Sequence, residues 1–516
     1  MKIQTEETVV QEAIEKTGFG KFNLKIAAIG AAIYTNAVIS ISSTGFVLPA
    51  AACDFQMTTI DKGRIAIASV LGSLFGPIVW GVLADLKGRR ITLMTTLFIQ
   101  ANCEILMSIV SNYWGFLFLK LFSGFAVIGE TSLLFTYVGE FQPKIHQKRI
   151  LSWISFIMVA AQIIVPLLAW LIIPLDFEYR GEFFFFRSWN LFIFVCALPA
   201  EILGIFLIFS PETPKHLAET GQHFRLVNVL IHMYEKNNGG TSDDYMRKLG
   251  TCESRGMGDL INFYMTNKSS LYKEDEKTVK KKELRTMIND FKVQGKNVLK
   301  DPYLKRLIVL SISMFCFSSS FYSLLMWFPE IFQRFSQFQT LHPNETSSVC
   351  SISSHLLPKN NTQGFDFVCK QEVDVSVYKN SLLQGFSAII PNLLLPLFVD
   401  KLGFRFFAVT LLGTAFASTI GLLFANTYLQ NVILASIFNA VMSTCASVMY
   451  SFCVVLFPTN VRIFASTISV FCSRLGTVFG NVTFTFLIDD FCTILITSVA
   501  TQLLVATVLS LTLRKK

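Results

Sequence analysis

Charge is what this chain has least of. Of its 516 residues, 15% are Asp, Glu, Lys or Arg and 52% are hydrophobic. A soluble globular protein carries about 25% charged residues, so the balance excludes a soluble fold. The cations that remain gather at the ends of apolar runs. The formal net charge of +9 therefore does not mark a nucleic-acid binder. The six histidines are dispersed, and the sequence holds no nucleophile motif, metal cluster or Walker loop. No enzymatic chemistry, metal or cofactor is expected. The N-terminal stretch Met1 to Lys16 is polar and acidic, without the apolar core of a cleavable signal peptide. The first span is expected to act as the insertion signal.

What the chain has in abundance is apolar runs about as long as a bilayer is thick, roughly 20 residues. Two of them, Ile65 to Leu83 and Ile91 to Val110, flank the stretch Gly81-Val82-Leu83-Ala84-Asp85-Leu86-Lys87-Gly88-Arg89-Arg90. This reads as a hairpin of membrane helices closed by a short cationic turn. Gly81 allows close helix approach and Gly88 permits the sharp turn. Asp85 sits where it can pair with Arg89 or Arg90. Three cations beside a span place the turn in the cytoplasm.

About twelve such spans follow, giving an all-α polytopic membrane protein. Residues 1–23 read as a cytoplasmic tail, 24–209 as a six-helix half, 210–305 as a cytoplasmic central loop and 306–513 as a second six-helix half. Residues 514–516 form a cytoplasmic tail. Phe224 to Tyr234 and Glu283 to Val298 in the central loop have amphipathic spacing. The seventh span is expected to stop at Phe328, leaving 329–376 as a hydrophilic outer loop. That loop holds sequons at Asn344 and Asn360, which marks it as glycosylated. It also holds Cys350 and Cys369. In an oxidising compartment these two are expected to pair, whereas a bond from either to Cys53 would need a different outer surface. Most of the eleven cysteines lie inside apolar runs as small hydrophobes.

The second half repeats the first. Asp400-Lys401-Leu402-Gly403-Phe404-Arg405 is a weaker copy of the opening turn. Tyr137-x-x-Glu140…Arg149 after the fourth helix corresponds to Pro458-Thr459…Arg462 after the tenth. Six plus six helices is the arrangement of a secondary transporter. The spacing Gly81-x-x-x-Asp85-x-x-Gly88-Arg89-Arg90 resembles the signature loop of the major facilitator superfamily. Further stretches resemble the synaptic vesicle glycoprotein 2 branch, which sits beside the organic-ion and sugar transporters. They include Phe46-Val47-Leu48-Pro49, Tyr137-x-x-Glu140-Phe141, Ser188-Trp189, Pro211-Glu212-Thr213-Pro214-Lys215 and Cys472-Ser473-Arg474-Leu475. The resemblance covers nearly the whole chain. Three departures accompany it: the first span has no acid between Asn36 and Ser43, Val455 stands where relatives carry Glu, and Phe404 is inserted before Arg405. The first argues against proton coupling through helix 1, and the other two weaken a gate network in the second half.

The resemblance implies alternating access by a secondary transporter of a small organic, charged solute, in a monomer, with coupling to a proton or ion gradient open. It implies a gate set of Gly81, Asp85, Gly88, Arg89, Arg90, Glu140, Arg149, Asp400, Gly403, Arg405 and Arg462. An ionisable group inside a span needs a partner or a water-filled cavity. Glu130 and Arg474 are therefore substrate or proton candidates, each balanced against a structural contact. Tyr34, Asn36, Tyr322, Tyr450 and Asn439 are polar candidates for the cavity wall, against the alternative of helix-packing contacts. Glu104 and Glu201 are expected to be structural. The alternative function is a transporter fold that no longer transports and serves as a vesicle or membrane adaptor or receptor. The membrane is the plasma membrane or that of a vesicle, with both termini cytoplasmic.

Overall fold

The computed structural model describes residues 2–180, 185–250, 303–341, 350, 373–457 and 459–513, with 293, 295, 296, 298, 300 and 301. Six long helices form the first half: α2 (Lys21–Ala50), α3 (Thr59–Lys87), α4 (Arg89–Met107), α5 (Tyr113–Gly139), α6 (Lys144–Ile172) and α7 (Ser188–Ile208). The second half is built from α11 (Tyr303–Leu341), α12 (Val375–Ser387), α13 (Ile389–Phe424), α14 (Tyr428–Val455), α15 (Thr459–Leu487) and α16 (Cys492–Thr512). Eleven stretches among the described residues are long and apolar enough to cross a membrane. The twelfth pass is α4. It is more polar, carrying Arg89, Gln100 and Glu104, but these side chains are buried, Gln100 and Glu104 facing Asn36 and Ser40 of α2 and Ser123 of α5. The chain is an all-α polytopic membrane protein.

Side-chain caps start several passes. Thr58 accepts from the Asp61 amide ahead of α3, Asn112 from Trp114 ahead of α5, and Thr427 from Gln430 ahead of α14. Between α3 and α4 the chain reverses at Gly88, whose φ of 106° is open to glycine at low cost. Its counterpart Gly403 has φ 78° and kinks α13, so the duplicated motif keeps its turn geometry in both halves. Helices in lipid gain little from apolar burial against each other and rely on close packing. At Gly124, α5 meets α3 so closely that a Cβ would collide with the Ser69 backbone.

Both ends of the twelve-pass bundle, with Gly88, lie on one face, here the motif face. The opposite face carries a two-stranded antiparallel hairpin, β1 (Glu178–Arg180) and β2 (Phe185–Arg187), where Glu178 pairs with Arg187. This is the hairpin face. Arg187 holds Asp54 at 2.9 Å and Glu178 at 2.7 Å, and Trp189 Nε1 donates to Asp54.

Three expectations are corrected. The first 23 residues are not a plain tail: α1 (Lys2–Lys16) buries Val10, Ala13 and Ile14. They share a core with α8 (Pro214–Glu219), α9 (His223–Asn238) and α10 (Ser242–Gly250) through Leu217, Leu230, Met233 and Tyr245. The few apolar residues of α1 suffice because these helices supply the matching face. The amphipathic stretch at Phe224 is helical as its spacing implied. Next, α11 does not stop at Phe328 but continues through Pro329 to Leu341. Phe328, Phe332, Phe335 and Phe338 keep a buried helical stripe going, which outweighs the hydrogen bond that Pro329 removes. Finally, Cys350 is bonded to Cys492 at the start of α16, with Cα atoms 5.2 Å apart, and not to Cys369. Proximity along the chain gave way to proximity in space. Cys53 is disulfide-bonded as well. Asn344, Asn360 and Cys369 lie outside the described residues.

Candidate functional site

A cavity lies between the two halves near the middle of the bundle, with an empty volume of about 1030 Å³, part of it open to solvent. The first half contributes Ile41, Ser42 and Phe46 of α2, Ser69 and Ser73 of α3, Val127 and Thr131 of α5, and Gln162 of α6. The second half contributes Tyr322 and Met326 of α11, Ser381 and Gln384 of α12, Asn439 of α14, and Arg474 and Thr477 of α15. Of the sequence candidates, Tyr322, Asn439 and Arg474 thus line it. Tyr34 is half-buried, with its ring edge-on to Phe135, and interacts electrostatically with Tyr450 and Arg474. Asn439 reaches across the halves, its Nδ2 donating to Gln162 Oε1 at 3.4 Å and to the Gln384 carbonyl at 3.2 Å.

Glu130 and Asn36 turn the other way. Asn36 Nδ2 donates to Glu130 Oε2 at 3.1 Å, inside the first half. The Gln100 amide lies between the two carboxylates Glu130 and Glu104, and turning it over points its NH2 at Glu130. Glu104 accepts from Ser40 Oγ and from Ser123 Oγ at 2.8 Å. Lys120 is buried beside it, donating to the Ser40 carbonyl at 3.4 Å. The sequence reading passed over Lys120, although a lysine inside an apolar run is its own signal.

On the motif face the predicted cluster assembles around Arg89, which is buried. Its guanidinium lies 3.3 Å from Asp85, 3.5 Å from Glu140 and 3.8 Å from Glu219, with His216 Nδ1 at 2.9 Å. Arg90 caps the end of α7 by donating to the Leu207 and Ile208 carbonyls, and its own amide donates to Glu212. Burial holds the carboxyl of Glu140 above its ordinary range, opposed by Arg89, and burial raises Glu212 likewise, opposed by the Arg90 and Thr213 amides. Glu212, His216 and Glu219, all in or beside the Pro211-Glu212-Thr213-Pro214 segment, were not among the predicted gate residues. Gly81 has open space around it, and Arg149 is exposed near the start of α6. In the second copy Arg405 is half-exposed, and the side chains of Asp400 and Arg462 lie outside the described set.

The hairpin face carries a second ionic group, which joins the halves. Lys62 of α3 meets Glu330 of α11 at 2.7 Å. Arg334 binds Glu330 at 3.3 Å, Asp489 at 2.7 Å and Thr59 Oγ1 at 3.1 Å. Beneath it, Phe46 stacks on Tyr378 at 6.2 Å, and Gly45 and Gly385 sit against backbone carbonyls of Met326 and Gln162. Phe46 and Gly385 of this packing also line the cavity. The sole sequence clue was the helical spacing of Glu330 and Arg334, which the expected loop concealed.

The sequence model of the Major Facilitator Superfamily matches residues 30–481. The chain belongs to that superfamily. Within it, the chain is similar to human synaptic vesicle glycoprotein 2B, 27% identical over 352 residues covering 65% of this chain and 49% of that one. Human synaptic vesicle glycoprotein 2A is 28% identical over 343 residues, 64% and 43% of the two chains. The match spans about half the length of these curated relatives. Among solved structures, the partially occluded inward-open conformation of the xylose transporter of E. coli superposes with TM-score 0.63 at 12% identity, covering 95% and 98%. The proton:xylose symporter bound to 6-bromo-6-deoxy-D-glucose gives TM-score 0.61 at 13% identity, covering 97% and 94%. At such identities the likeness concerns the fold of this superfamily member.

Proposed function

We propose that this superfamily member is a secondary transporter that moves a small organic, charged solute by alternating access. The motif face is cytoplasmic, because the basic turns lie there. The observation that carries the reading is a cavity between the two halves, with one ion pair and one charged hydrogen bond joining the halves on one face. Lys62–Glu330 and Arg334–Thr59 must part for the cavity to open on the hairpin face. The Arg89 cluster braces the motif face, joining α3, α4, α5 and α8. Glu130, set between α2 and α4 and reached by Asn36, is the proton candidate of the first half.

Purified protein in liposomes, tested for solute uptake with and without a pH gradient, decides the matter. Saturable uptake is expected. It is expected to vanish when cysteines placed at Lys62 and Glu330 are cross-linked, and to return on reduction. An adaptor that has lost transport shows no uptake of organic acids, organic cations or sugars in either condition.

A further inference from the structure

Among the described residues, Arg474 is the one charged side chain that lines the central cavity. Its Nε is buried and has no hydrogen-bond partner. No carboxylate among the described residues forms an ion pair with it, although Tyr34 and Tyr322 both interact with it electrostatically. A guanidinium set in a helix bundle without a counter-ion is costly. Two further buried polar atoms there also lack partners, Asn439 Oδ1 and Gln384 Nε2. One is an acceptor and the other a donor, from residues that already touch through the Asn439–Gln384 backbone bond. The rest of the wall is largely apolar and includes Val127 and Leu325.

We infer that the cavity takes an organic anion, its acid group held by the Arg474 guanidinium and a hydroxyl further along the molecule held between Asn439 and Gln384. The inference rests on the transport reading for its physiological meaning, but its content is binding. A planar guanidinium fork matches a carboxylate with two parallel hydrogen bonds, and the ligand brings the negative charge that the cavity wall lacks. A single hydroxyl satisfies both orphaned amide atoms, donating to Asn439 Oδ1 and accepting from Gln384 Nε2. The apolar residues of the wall favour an amphipathic body over a polyhydroxylated one.

The test measures binding to the purified full chain in nanodiscs. The probes are 4-hydroxyphenylacetate and a panel of hydroxylated aryl and alkyl monocarboxylates, each with its neutral primary amide. Phenylacetate, chloride and nitrate complete the set. Acids of the panel are expected to bind at least tenfold more tightly than their amides. Arg474→Gln erases that preference, and Arg474→Lys keeps part of it. Loss of the hydroxyl weakens binding several-fold in the wild type and clearly less in Gln384→Ala, where only the bond to Asn439 remains. The acid–amide comparison on the wild type stands even if Arg474→Gln does not fold. Amides that match their acids across the panel overturn the inference. So does an acid preference that survives in folded Arg474→Gln, or a response to chloride and nitrate alone. An acid that binds but is not taken up into liposomes overturns the transport reading and leaves this site intact. Uptake with no preference for acids does the reverse.

Discussion

Lys62 and Glu330 are 268 residues apart in sequence, yet the Lys62 ammonium lies 2.7 and 2.8 Å from the two carboxylate oxygens of Glu330. One belongs to each half of the molecule, so under the proposed alternating-access cycle the pair forms when the halves meet on this face and breaks when they part. Their side chains are 12% and 7% exposed, which puts the pair between a surface contact and a fully buried one.

Removing one partner at that depth is expected to cost the closed state about 2 kcal/mol, less than the loss at a fully buried pair. That corresponds to roughly a 30-fold shift toward opening on the hairpin face. Lys62→Ala and Glu330→Gln should therefore each raise the labelling rate of a cysteine placed at Ser42 with an impermeant reagent applied from the hairpin side. The exchange Lys62→Glu with Glu330→Lys should restore part of the protection. Equal labelling in all four proteins removes the gating role.

The bond between Cys350 and Cys492 closes a segment of 142 residues. In the chain-entropy model a loop of that length is constrained by about 5 kcal/mol relative to the reduced unfolded chain. Peptide mapping without reduction should recover Cys350 linked to Cys492. Cys492→Ser should lower the thermal unfolding midpoint in detergent. A linked Cys350–Cys369 peptide contradicts the structure.

The carboxyl of Glu140 is raised above its free value of 4.5, chiefly by burial, with Arg89 pulling it back in part. A group whose folded value is raised takes up its proton more readily in the folded chain than in the unfolded one. The stability it contributes is full below the free value and lost as pH rises through the folded one. Acidifying from about pH 7.5 toward about pH 5 should therefore raise the unfolding midpoint of the wild type relative to Glu140→Gln, which has no proton to gain. Thermal unfolding of both proteins across that range checks it, and parallel curves refute it.

Gly88 and Gly403 occupy matching turns with φ of 106° and 78°. Alanine at either is strained, by about 1 to 2 kcal/mol for the backbone alone. At Gly403 nothing lies within 4 Å of the new methyl, whereas at Gly88 it meets the Glu212 carboxylate. Gly88→Ala should thus lower thermal stability more than Gly403→Ala. Reversal of that order means that Glu212 moves aside freely.

Much of this architecture is legible in the sequence because apolar length and cation placement are local properties. The turn at Asp85–Arg90, the amphipathic helix at Phe224 and the doubling of the motif can all be read from short windows. Arg89 could be singled out because its spacing carries a superfamily pattern. Glu330 and Arg334 were hidden because Pro329 reads as a helix stop, and a stripe of phenylalanines overrode it. The pairing of Cys350 was misjudged because nearness in sequence says little once Cys492 is folded back beside it. Glu130 was weighed as a substrate or proton site against a structural contact; its direction depends on the rotation of α5 against α2 and α4, which weak amphipathicity in an apolar helix does not disclose. The same gap concealed Gln384 and Lys120.

The 39 residues of α11 have a contour of about 58 Å, roughly twice the thickness of a hydrocarbon core. Its last turns are therefore a rod standing clear of the bilayer, fastened to the segment after it where Gln333 accepts from the Asp374 amide. If the halves rock as proposed, a rod fixed to one of them sweeps through space whenever that half tilts. An antibody fragment that grips this rod together with the β-hairpin of the other half would arrest the cycle from outside, without touching the cavity.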